Sequence, residues 1–121
     1  MDSTPEDRLE VLLRLYETAR DQQDSDMAEA TTDAEADAIQ NNVDKLRRDY
    51  MRAERERLEA SGPAVEAAFR AAQAAADNVA QAYRQGKALA DRIRAVSGAV
   101  TAVSNLMARI DDDGHGGPRG V

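Results

Sequence analysis

The only histidine of this chain, His115, follows three consecutive acids, Asp111, Asp112 and Asp113. An imidazole beside carboxylates has metal-ligating chemistry. A hard cation, however, needs about six organised oxygens, and a transition metal favours several imidazoles. The surrounding segment, DDDGHGGPRGV, has nothing to fix such a geometry, so residues 111–121 read as a flexible tail beyond a helix end. No glycine-rich phosphate loop, nucleophile elbow or Glu-x-x-His pair occurs anywhere in the sequence. Inward-facing carboxylates on a helical bundle can hold two irons, but only with histidines on the same helices. Cysteine is absent, which removes disulfides, thiolate metal sites and thiol catalysis. We therefore expect no catalytic residues, no metal, no cofactor and no enzymatic activity.

Lys45, Arg48, Arg52 and Arg55 form a basic line at 3-4-3 spacing. Nucleic acid would require that line to be unopposed. Asp44, Asp49, Glu54 and Glu56 are interleaved with it, so it reads as a solvated helix face and no nucleic acid is expected. Net charge is -7, unevenly placed: residues 1–60 hold 17 acids and 9 bases, whereas residues 61–121 hold 6 acids and 7 bases. From Asp21 to Asp44 there are eight acids and no base. Such a run can mask a basic site on a partner, as an inhibitor or immunity-type protein would.

The elements that carry these side chains are helical. Aromatic content is 3 %, so burial must come from Ala, Val, Leu and Ile along helices. Thr4-Pro5-Glu6-Asp7 is a helix start: a cap, a proline at the first helical position, and acids on the positive end of the dipole. Leu9, Leu12, Leu13 and Tyr16 follow at helical spacing, which predicts a first helix over about 5–22. The polar stretch DQQDSDMAEATTD reads as a break, and Thr32-Asp33-Ala34-Glu35 as a capping box that opens a second helix over about 32–60. Its seam is Ala36, Ile39, Val43, Leu46, Tyr50 and Ala53, a heptad spacing. Ser61, Gly62 and Pro63 stop one helix and start the next, and predict a hairpin turn. Pro63–Ile110 has no internal proline and reads as one very long helix, roughly 70 Å at about 1.5 Å per residue.

The expected fold is all-α: a single helical domain over 1–110, an elongated, coiled-coil-like antiparallel hairpin or bundle built on that C-terminal helix. Its stripe widens at Leu89, Ile93, Val96, Val100, Val103, Met107 and Ile110. One covering helix cannot bury so broad a face. We expect those residues to form a protein interface, with a second copy or another protein. The function so implied is that of a helical interaction protein (adaptor, chaperone or structural subunit), and the acidic masking protein is the alternative. The longest uncharged run, Ala95–Ala108, is fourteen residues, short of the roughly twenty a bilayer needs. The N-terminus has neither the basic nor the apolar part of a secretory signal. A cytoplasmic location is the expectation.

Overall fold

A computed structural model of the chain describes residues 3–56 and 58–114, and no side chain beyond Asp112. The described residues form four helices and no strand: α1 (Pro5–Glu29), α2 (Asp33–Arg55), α3 (Pro63–Arg84) and α4 (Leu89–Gly114). The all-α bundle stands, but the single long C-terminal helix does not. It is broken into α3 and α4 at Gly86, whose φ is +64°. The Gly86 amide donates to the Tyr83 carbonyl, and the Lys87 amide donates to the Ala82 carbonyl. Those two bonds make a Schellman ending, which needs a left-handed residue that glycine supplies without strain. Ala88 then accepts the first amide bonds of α4, from Asp91 and Arg92. At about 1.5 Å per residue the 26 residues of α4 span about 39 Å, so the 70 Å rod becomes a short bundle.

The other ends follow local chemistry. The Thr4 hydroxyl accepts from the Asp7 amide while the Asp7 carboxylate accepts from the Thr4 amide. Thr32 caps α2 through the Glu35 amide, but Glu35 turns its carboxylate onto Thr31, so the reciprocal half of that box is shifted by one residue. α1 runs to Glu29 instead of ending near 22, and α2 ends at Arg55 instead of near 60. No glycine or proline interrupts Asp21–Glu29, and Asp26 is buried there.

α1 packs on α2 and α3, and α4 packs on α3 and α2; α1 and α4 touch more thinly. Among the described residues α2 and α3 make no contact, which corrects the hairpin expected at Ser61, Gly62 and Pro63. Gly62, at φ +132°, and Pro63 do open α3, but the link after α2 crosses the base of the bundle diagonally. The two hairpins are instead α1–α2 and α3–α4, each closed by a short turn at the opposite end. One core runs through all four helices, centred on Leu12, Leu15, Leu46, Val65, Val79, Val103 and Leu106, all 2 % exposed or less. Among the described residues Phe69 is its one buried aromatic, at 6 % exposed, while Tyr16 and Tyr50 stack at 5.9 Å on its edge.

Candidate functional site

The residues expected to face a partner lie inside the chain's own core. Leu89, Val96, Val100, Val103, Met107 and Ile110 are each 9 % exposed or less, and Ile93 is half-buried. This corrects the interface expected along them. The turn at Gly86 folds α4 back between α3 and α2, and both flanks of its broad stripe are covered. Periodicity identified an apolar face; it could not identify what lies against it.

Two polar clusters close the ends of that core. At the base, Arg8 is 1 % exposed and sits on the α1 stripe four residues before Leu12. Its Nη1 donates to the carbonyls of Leu58 and Ala60, and so holds the crossing link. Its Nη2 lies 3.0 Å from Glu66 Oε2, and its Nε donates to Ser3 Oγ at 2.9 Å. Glu66, at the start of α3, also accepts from the Ser3 amide and hydroxyl. Burial pushes the Glu66 carboxyl upward, but the Ser3 hydrogen bonds and the Arg8 guanidinium outweigh it, and the group is held below its usual range.

At the turn end, Asp26 of α1 is 4 % exposed and accepts a hydrogen bond from the hydroxyl of Tyr83 at the end of α3. Arg92, in the first turn of α4, lies 3.1 Å from Asp26 Oδ1 and 2.6 Å from Glu29 Oε1. The last turn of α1 has no base of its own, so Arg92 supplies positive charge to the negative end of that helix. Its guanidinium also stands 5.5 Å over the Tyr83 ring. Burial raises the Asp26 carboxyl, and Tyr83 and Arg92 only partly offset it. Burial, then the Asp26 contact, pushes the Tyr83 hydroxyl well up. Asp49 of α2 is likewise raised by burial, against the pull of Arg48 and Arg52.

Arg52 of the expected basic line pairs with Glu56 and with Asp111 of α4, which ties the ends of α2 and α4 together at the base. Among the described residues no group of three or more His, Asp or Glu could hold a metal ion, and His115 lies outside them. No described helix is long and apolar enough to cross a membrane.

The outer surface divides by charge. α1 and α2 present most of the acids. Over α3 and α4 a shallow groove is lined by Ala64, Ala67, Ala68, Ala71, Gly98, Thr101, Ala102 and Asn105, with Arg109 at its end. Ala67, Ala71, Gly98, Thr101 and Asn105 are exposed, and Ala74 and Asn78 continue the same face along α3. From the sequence, burial is expected to rest partly on alanine; the 3-4 recurrence of Ala64, Ala67, Ala71 and Ala74, continued by Asn78, is the signal of a second face, opposite Val65, Ala72, Ala76 and Val79. No protein-family model matches this chain, and no curated protein or solved structure matches it.

Proposed function

We propose that this is a non-enzymatic helical interaction protein that pairs with a second copy of itself through the outer face of α3 and α4. The stripe from Leu89 to Ile110 is engaged in the core, and the alanine-lined groove is the surface we assign to association in its place. One observation carries the proposal: in a chain with 32 % charged residues, eight of the nine groove residues are uncharged. Small side chains let a second helix approach closely, since interaxial distance is set by the side chains at the contact. Two copies meeting through their α1–α2 sides would bring together halves that each carry the excess of acids, and would repel. Meeting through α3–α4 has no such cost.

Size exclusion with light scattering is the test. A dimer is expected, and Ala71→Glu should convert it to a folded monomer, because Ala71 is exposed and its replacement leaves the core untouched. Ala28→Glu, on exposed α1, is the control and should leave the dimer intact. A monomer at all concentrations, or a dimer indifferent to Ala71→Glu, overturns the proposal.

A further inference from the structure

Beside the Asp26 cluster lies a cavity of about 10 Å³, whose lining includes Ala19, Asp26, Asn42, Val43 and Tyr83. One water needs about 10–15 Å³ of such space, and two to four polar partners. A dry cavity of this kind is apolar throughout; this one is not. Asp26 is 4 % exposed, and its Oδ1 accepts no hydrogen bond. Arg92 Nη1 is 3.1 Å from that oxygen, close enough for an ion pair but without the alignment a hydrogen bond requires. The Tyr83 hydroxyl is already directed at the other oxygen, Oδ2. Asn42 of α2, which also lines the cavity, donates its amide to Ser97 Oγ at 3.1 Å, and its side chain carries a carbonyl oxygen that can accept. A buried carboxylate oxygen without a donor is costly, and a small donor seated in the cavity would satisfy it.

We infer that the cavity is a hydration site for a single ordered water, which donates one hydrogen to Asp26 Oδ1 and the other to the Asn42 carbonyl. The water thereby joins α1 to α2 near the turn end. A monovalent cation is excluded by the Arg92 guanidinium, which already stands against the same carboxylate oxygen.

A crystal structure at a resolution that shows ordered water is expected to place one water oxygen within hydrogen-bond distance of Asp26 Oδ1 and Asn42 Oδ1. Magnetic relaxation dispersion of the solvent should detect a long-lived water in the native protein, and Val43→Ile, which adds a methyl group to the lining, should remove it. If that variant does not fold, the map and the native dispersion decide between them. An empty cavity with no long-lived water overturns the inference. So does a dispersion unchanged by Val43→Ile in a folded protein, a reoriented Arg92 or Asn42 that supplies the missing donor, or a peak with metal-ion coordination.

Discussion

Replacing Arg8 by alanine tests the base of the bundle directly. The side chain is 1 % exposed and donates to the Leu58 and Ala60 carbonyls of the crossing link. Its removal leaves Glu66 buried with Ser3 alone, and removing one partner of a buried pair costs about 3–5 kcal/mol. The two link carbonyls add little if water reaches them and about 1–3 kcal/mol each if it does not. A domain of this size has a total stability of about 5–15 kcal/mol, so Arg8→Ala should lose a large share of it. Urea unfolding followed by circular dichroism measures the loss. The double variant Arg8→Met, Glu66→Leu removes both charges and should recover most of it, since apolar replacement of a buried pair is often neutral. A loss below about 1 kcal/mol for Arg8→Ala, or a double variant worse than the single, would refute the claim that the pair anchors the link. The pH dependence gives a second check. Glu66 titrates below its usual 4.5 when folded, so its contribution is complete above that value. It is lost as pH falls through the lower folded value. The gap in stability between the native chain and Glu66→Gln should therefore be widest at neutral pH and close in acid.

Gly86→Ala should cost about 1–2 kcal/mol through its φ of +64° alone, because nothing lies within 4 Å of the added Cβ; thermal melting of Gly86→Asn should show a smaller loss. Val100→Asp should cost several kcal/mol and unfold the protomer, since Val100 is 7 % exposed within its own bundle, whereas exposed Thr101→Asp should keep the helical circular dichroism and weaken only the proposed pairing. Asp26 has a folded value raised above its usual 3.8, so the native chain should gain stability relative to Asp26→Asn as pH falls from that raised value toward 3.8, then level off. Melting temperatures of the two proteins across that range would show the opposite slope if Asp26 were instead held ionised by Arg92.

Much of the local structure was legible because it rests on neighbouring residues. Thr4, Thr32 and the Gly62-Pro63 pair act within one turn of their own positions, and all three mark helix starts. The break at Gly86 was hidden because the stripe Val79, Tyr83, Gly86, Ala90, Ile93 keeps its 4-3 rhythm across it. A glycine in rhythm looks like a small core residue until the left-handed turn is seen. The polar clusters had a signal that went unused. Arg8, Leu12, Leu15, Ala19 and Asp26 share one stripe of α1, with a charge at each end of it. A charged residue at an apolar position implies a buried partner, but Glu66, Tyr83 and Arg92 come from elsewhere in the chain, and no local rule pairs them. Burial of the α4 stripe depended on the same non-local choice of neighbours.

The diagonal link also bears on the order in which the molecule is expected to assemble. α1–α2 and α3–α4 each join neighbours in sequence through a short turn, so each can close early at little loop-entropy cost. What remains is the docking of two preformed halves, α1 onto α3 and α2 onto α4, with the link drawn beneath them. Arg8 meets Glu66 of α3 only once both halves are in place. The Arg8–Glu66 pair is therefore expected to form in the last stage of folding, and Arg8→Ala to speed unfolding more than it slows folding.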